Sequence, residues 1–570
     1  MTWKPWLGAV PDDGGTHFRV WAPKADSLSV KIAGGREVSM RRESDGYYTL
    51  YSPGVRAGAR YSYKFRDGRE RPDPASLFQP EGVHGPSEVV DLSAIAQRTL
   101  KPKLELKDLV FSEIHLGTFT REGTADAAAA ELQELARNGF TAAEVMPVAA
   151  FSGDRGWGYD GVAPFAVHVA YGGPKQLARF VEAAHAAGLA AFLDVVYNHL
   201  GPEGNYLGEF APYFTSKLNT PWGDALDFSL PQVRRYFVEN ALRWTSRNGA
   251  GFDGLRLDAI HNIVDESPKH ILQEIAEAVH AEGGLVIAES DLNDVKLVEE
   301  WRLDGSWADD LHHTLHVALT GESQGYYRDF QDPLPKLVHA LNRGWFYEGQ
   351  HKPSFDRPHG TKAAHLPGRH FVVAAQNHDQ IGNRASGDRL SALTDEGGLR
   401  VAAALIALQP ALPLYFQGEE WAAREPFQYF TGHTDESLAE AVRNGRRKEF
   451  AAFAWQGEVP DPQAYETFER SKLDRKHQDK KALEWHRALL QIRRNYLQDD
   501  DRAKSQASLQ GQVVLLRRGE ILLVAGFGDG DFEVQLPEGK WQLLLDSAKA
   551  RLSDSKLQGS GRHAIVLQQG

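Results

Sequence analysis

Apolar and polar positions alternate with a period of two at 17–21, 27–32, 46–51 and 60–65, and Gly-Gly, Asp-Gly and Pro-Gly pairs separate these runs. Short strands cut by turns predict a small all-β sandwich over residues 1–90, followed by a polar linker at 91–108. From 109 the texture changes. Apolar runs of strand length at 110–118, 142–147, 190–198, 252–258, 285–289, 307–310, 371–378 and 411–417 alternate with helix-period segments at 126–138, 174–187, 233–248, 267–281 and 399–408. Eight strands with intervening helices predict an α/β fold, a (β/α)8 barrel over 109–497, in which chemistry belongs at the C-terminal strand ends. Residues 199–231 carry neither period and read as a loop insertion over that face. The region 465–497 is charged and helical in pattern, and its run at 472–481 reads as a solvated helix face. Alternation returns at 513–517, 520–526, 532–536, 541–545 and 563–567, predicting a C-terminal β-sandwich over 498–570.

Composition narrows the class. A chain of 570 residues exceeds one core, so two to four domains are expected. An apolar share of 42% and a charged share of 25% are ordinary for a soluble globular protein. The net charge of −13 argues against nucleic acid or an anionic membrane as partner. Without cysteine, neither a disulfide nor a thiolate metal site can form. The opening Met-Thr-Trp-Lys-Pro-Trp lacks the apolar stretch of a secretory signal and no run approaches a membrane span, so a cytoplasmic enzyme is expected. The 13 Trp, 18 Tyr and 27 Phe are enough to stack on sugar rings, although most aromatic side chains serve the core.

Candidate chemistry gathers where the predicted strands stop. The run Gly-Phe-Asp-Gly-Leu-Arg-Leu-Asp at 251–258 presents Arg256 and Asp258 on one side of a strand. A carboxylate beside a fixed cation stays ionised, as a nucleophile must; the competing reading is a structural ion pair. Glu289 closes Gly-Leu-Val-Ile-Ala, where desolvation raises a carboxyl and keeps a proton available for general acid work; alone it equally suits an ordinary loop acid. Asp194, Asn198 and His199 close the third strand and either position a polar ligand or brace a loop. Asn-His-Asp-Gln at 377–380, followed by Asn383, closes the seventh and suits sugar hydroxyls, with metal ligation as the rival reading. Together these clusters end strands three, four, five and seven of one barrel. Two carboxyl groups about 5–5.5 Å apart across an acetal carbon hydrolyse a glycoside with retention, and a third stabilises developing positive charge.

In order and residue type these four runs resemble the α-amylase superfamily, glycoside hydrolase family 13, and the N-terminal sandwich resembles the module that precedes the barrel in its branching, debranching and trehalose-releasing members. The resemblance implies Asp258 as nucleophile, Glu289 as general acid/base and Asp379 as transition-state stabiliser. It implies Arg256, His199 and His378 as contacts of the sugar in subsite −1, with Tyr159 of Gly-Trp-Gly-Tyr-Asp (156–160) stacked on it and Gln380 and Asn383 as further contacts. The stretches 111–120, 197–206, 287–294, 376–385 and 418–423 place the likeness nearest the trehalose-releasing branch. That implies a maltooligosyltrehalose substrate, trehalose as product, no cofactor, and a maltooligosyltrehalose synthase as the functional partner upstream. His261 and Asn262 stand where many members carry Lys-His on the aglycone side, which fits a 1,1-linked leaving group. Asp309, Asp310, His312 and His313 are further candidates for holding it; the alternative is a helix start whose acids complement its dipole. Asn198 matches a calcium ligand of many amylases, but the insertion here is short and the trehalose-releasing branch does not generally need calcium. Asn198 is therefore expected to be a brace and no metal to be required. The rival activities are a glycogen branching enzyme, in which a glucan hydroxyl replaces water, and a silent glucan-binding barrel, which would have lost a carboxylate.

Overall fold

The computed structural model describes residues 3–96, 99–220, 223–452 and 459–570. At its centre eight parallel strands close into a barrel. They are β1 Phe111–Ile114, β2 Ala142–Val145, β3 Ala190–Val195, β4 Gly254–Leu257, β5 Leu285–Ala288, β6 Gly305–Trp307, β7 Phe371–Ala374 and β8 Leu412–Phe416. Each is shorter than its apolar run, because the chain leaves the sheet but stays buried. After β1 it turns directly into the helix Leu116–Phe119, all of whose residues are buried. After β6 the helix Asp309–Thr320 begins inside the stretch read as strand. Hydropathy reports burial, and burial outlasts hydrogen-bonded pairing here.

The barrel is plugged from below by inward side chains, among them Phe111, Phe192, Ile287, Trp307, Leu412 and Leu414. Burying each large one contributes about 2 kcal/mol. Phe192 reaches across the barrel only because Gly254 opposes it, since a Cβ there would lie 2.2 Å from the ring. One step up the same strands, period two turns the inward positions polar. Glu113 pairs in register with Glu144, and Asp194 with Arg256. Above this acid-rich layer the strands open into loops.

Helices Ala125–Arg137, Gly173–Ala186, Pro231–Thr245, Ile271–Ala281 and Glu396–Leu408 pack outside. The helix Lys480–Tyr496 joins them, burying Leu483, Trp485, Leu489, Leu490 and Ile492. The charged run 472–481 is only in part the solvated helix face expected: Lys476, His477 and 479–481 are exposed, and the helix begins at Lys480. Most of it forms a turn, and Arg475 inserts between the rings of Phe119 and Trp421, 4.9 Å from each, with Glu131 at 3.0 Å. A guanidinium stacks on rings while its acids neutralise it, so a charge run can be an inner strap.

Both flanking sandwiches form. The N-terminal one pairs a sheet containing Gly15–Trp21 and Tyr47–Pro53 with a second containing Leu28–Ile32 and Arg60–Phe65. The C-terminal one has five- and three-stranded sheets, including Ser505–Gln510, Arg551–Leu552 and Lys556–Ser560 beyond the runs expected. The stretch 199–231 is more than a loop. Its helix Leu207–Phe210 and hairpin strands Phe214–Thr220 and Gly223–Leu226 form an arm. That arm grips the N-terminal sandwich: Phe210 packs on Phe65 at 5.0 Å, Tyr213 on Trp21 at 5.2 Å, and Glu209 pairs with Arg71 at 3.0 Å. Among the described residues, no helix is long and apolar enough to cross a membrane.

Candidate active site

The centre of the polar layer is Arg256, fully buried on β4. Its Nη1 lies 2.7 Å from Asp194 Oδ2 and 2.8 Å from Asp258 Oδ1, and its Nη2 lies 3.7 Å from Glu289 Oε2. The guanidinium carbon sits 4.3 Å from the centre of the Trp307 ring. Asp258 is one residue beyond β4, and its N–H still donates to Val195 (3.0 Å), extending the ladder. Asn198 donates to both the carboxylate (3.0 Å) and the carbonyl (2.8 Å) of Asp258, so it is a brace, and what it braces is the expected nucleophile. Ala259 then takes φ +41° and turns the chain, aiming its N–H at Glu289 Oε2, 2.6 Å away.

One cation thus faces two carboxyl groups whose surroundings differ. Asp258 is held as an acceptor by Arg256 and Asn198. Glu289 is raised above the usual carboxylate range: burial raises it, Arg256 opposes, and the charges of Asp258 and Asp379 raise it further. Glu289 can therefore carry a proton near neutrality.

Asp379 is not at a strand end. It lies in the first turn of the short helix His378–Gly382, which starts after β7 has finished. Asn377 caps that helix, accepting from the N–H groups of Asp379 (2.9 Å) and Gln380 (3.3 Å), while Gln380 Oε1 accepts from the N–H of Asn377 (3.0 Å). The capping box engages Oε1 of Gln380, a residue expected as a substrate contact. Asn383 is exposed and donates to Asp379 Oδ1 at 3.3 Å.

His378 is buried, its Nε2 2.8 Å from Tyr159 Oη and 3.6 Å from Asp379, and its ring stacks on that of Tyr159 with centroids 5.2 Å apart. Burial pulls its pKa down, but the charges of Asp379 and Glu113 outweigh burial and push it up to about 9. Tyr159 donates to Asp194 at 2.6 Å. His199 stands beside Asp258 with its ring occupied by Asn198 Oδ1 and the Tyr159 carbonyl, 3.0 Å from the latter.

On the aglycone side the four candidates after β6 separate. Asp309 is half-buried, and burial together with the charges of Glu289 and Asp379 pushes its pKa up to about 7, so it belongs to the same electrostatic cluster. Asp310 does not. Its Oδ2 accepts from the N–H groups of Phe346 (2.8 Å) and Tyr347 (2.8 Å) and from Asn293 (2.9 Å). His312 is also buried, bonding the Ala375 carbonyl (2.7 Å) and Tyr327 Oη (3.2 Å). His313 stacks on Phe330 with centroids 4.9 Å apart and packs against Tyr326, and burial pushes its pKa down to about 3. Successive helical residues point about 100° apart, so one acid faces the cleft while the next is consumed by the fold. Asp310 and His312, expected as trehalose contacts, are tied into the fold by these bonds, and His313 stands half-buried between Phe330 and Tyr326. His261 is half-buried on the rim, 3.7 Å from Asp291, and close enough to Glu289 to affect it.

Glu113, Glu144 and Trp307 escaped the sequence reading. A glutamate inside Phe-Ser-Glu-Ile, every residue of which is buried, is the signal that marks Glu113. Its partner His378 lies 265 residues away, where no local pattern reaches.

Residues 6–77 match the family model of carbohydrate-binding module 48, the isoamylase N-terminal domain. Over most of its length the chain is similar to the malto-oligosyltrehalose trehalohydrolase of Saccharolobus solfataricus, at 44% identity over 86% of this chain and 87% of that one. It is likewise similar to the malto-oligosyltrehalose trehalohydrolase of Deinococcus radiodurans, at 42% identity over 96% of each. Among solved structures, a Salmonella typhimurium protein provisionally named an alpha amylase superposes with a TM-score of 0.93, at 37% identity over 100% of both chains.

Proposed function

The chain belongs to the malto-oligosyltrehalose trehalohydrolases, and on that premise we propose how its site cleaves the α-1,4 bond next to the terminal trehalose of maltooligosyltrehalose. Asp258 attacks the anomeric carbon while Glu289 gives its proton to the glycosidic oxygen, and trehalose leaves. The resulting glycosyl–Asp258 ester is opened by water that Glu289, now ionised, deprotonates. Asp258 departs, and the maltooligosaccharide is released with its α configuration retained. Asp379 stabilises the positive charge that develops on the sugar in both steps. Tyr159, His199, Arg256 and His378 surround the sugar in subsite −1, and Asp309 and His261 face the trehalose side.

The observation that carries this reading is the shared guanidinium: Arg256 lies 2.8 Å from Asp258 and 3.7 Å from Glu289, and burial raises Glu289. A cytoplasmic setting and a functional partnership with maltooligosyltrehalose synthase belong to the same proposal. Incubation with maltotriosyltrehalose, followed by NMR, is expected to show trehalose and α-maltotriose appearing together. First release of β-maltotriose, or 1,6 branches formed on amylose without any trehalose, overturns it.

A further inference from the structure

A continuous chain of hydrogen bonds runs from β1 to the nucleophile. Glu113 Oε1 meets His378 Nδ1, and Glu113 Oε2 accepts the backbone N–H of His378 at 3.0 Å. His378 Nε2 meets Tyr159 Oη at 2.8 Å, Tyr159 meets Asp194 Oδ2 at 2.6 Å, and Asp194 Oδ2 meets Arg256, which holds Asp258. Protons along it can be assigned by elimination. Asp194 Oδ2 already accepts from Arg256, so the single Tyr159 proton goes to Asp194 and the phenol oxygen accepts. His378 must then donate from Nε2. At its other nitrogen it faces Glu113 Oε1, an acceptor whose companion oxygen takes the His378 backbone N–H, so Nδ1 donates as well. Both ring nitrogens carry hydrogen.

We infer that Glu113 is a positioning residue of the reaction: it holds His378 as an imidazolium with Nδ1–H turned back to β1 and Nε2–H turned into the cleft. The inference rests on the proposed hydrolysis and adds to it a residue that touches no substrate. Glu113 is 1% exposed, lies outside the cleft and grips His378 at both its ring and its main chain, so it sets the ring plane as well as its charge. The other groups facing the ring agree with a cation there. Asp194 and Asp379 lie on one side of the balance and Arg256 on the other, while burial raises Glu144 and pushes His115 down to about 4. The gain is a charged donor and a flat face beside the sugar, delivered by an acid one layer below.

The test compares wild-type enzyme, Glu113→Gln and Asp258→Asn, with nitrogen-15 spectra of labelled histidine at pH 7.5 and His378→Asn for assignment. In wild type the His378 signals are expected to show both nitrogens protonated. Glutamine keeps the shape but offers an N–H to Nδ1, so Glu113→Gln is expected to show a bare Nδ1. Its kcat/KM is expected to fall roughly 10- to 100-fold, taking as guide the range for loss of the partner behind a metal-bound imidazole. A neutral His378 in the wild-type spectrum overturns the inference by itself, and decides the matter if Glu113→Gln does not fold. Unchanged signals and unchanged turnover in Glu113→Gln, beside an inactive Asp258→Asn, overturn it and leave the hydrolytic mechanism standing. An active Asp258→Asn removes the mechanism, and the inference with it.

Discussion

Two places in the barrel offer the same residue types and use them in opposite ways. Around Arg256, the side chains of Asp194, Asp258 and Glu289 crowd one guanidinium, and burial together with the charges of Asp258 and Asp379 keeps Glu289 raised. At the start of the helix Asp309–Thr320, Asp310 is buried like Asp194 and burial raises it too, yet three N–H donors satisfy a single oxygen. The first arrangement stores electrostatic potential against an open cleft; the second spends it on fixing the turn at 346–347. An acid's type and burial do not separate the two. The destination of its hydrogen bonds does.

The comparison breaks first at Asp258. Asp258→Asn is expected to lower turnover by at least about 10³-fold with at most a modest fall in melting temperature, since the amide oxygen still accepts from Arg256 and only the bond from Asn198 is lost. Initial rates on maltotriosyltrehalose beside thermal melts check both halves, and a variant within tenfold of wild type removes the nucleophile assignment. Asp310→Ala should give the mirror image. Three buried donors lose their acceptor, at about 3 kcal/mol or more in total. Chemical denaturation should report that loss, with kcat/KM within a few-fold of wild type well below the melting point; lost activity at intact stability would move Asp310 into the cleft.

Asp309 sharpens the contrast through pH. A carboxyl pushed up to about 7 favours its protonated form in the fold, so its contribution is complete below the ordinary carboxylate value and is lost as pH rises through about 7. Asp309→Asn should therefore melt with wild type near pH 4, pull ahead as pH rises, and stay a few degrees higher above pH 7. Equal melting temperatures at pH 8.5 would show that Asp309 is not held in the cluster. The smallest effect is expected at Gln380→Ala, which removes half of a capping box at a cost of about 1 kcal/mol and leaves turnover within a few-fold. A hundredfold loss of activity there would return Gln380 to the substrate.

Much was readable in the residues themselves. The two β-sandwiches, the eight barrel strands and the acids at their ends follow from period two, period 3.6 and turn chemistry, all of which act within a few residues. Asp258, Glu289 and Asp379 stood out because polar groups closing apolar runs are locally conspicuous. What the sequence could not separate was Asp309 from Asp310, or Gln380 as a ligand from Gln380 as a cap, because each pair of readings uses the same letters. The strap at Arg475, the arm that clasps the N-terminal sandwich and the link from Glu113 to His378 join segments far apart in the chain, and only folding brings them within a few ångströms. Hydropathy is a property of single residues and their near neighbours, so the chain alone determined where strands and acids lie. Hydrogen-bond satisfaction and pKa depend on what surrounds a group in space, so the tertiary structure alone decided which acids are spent on the fold and which are left to react.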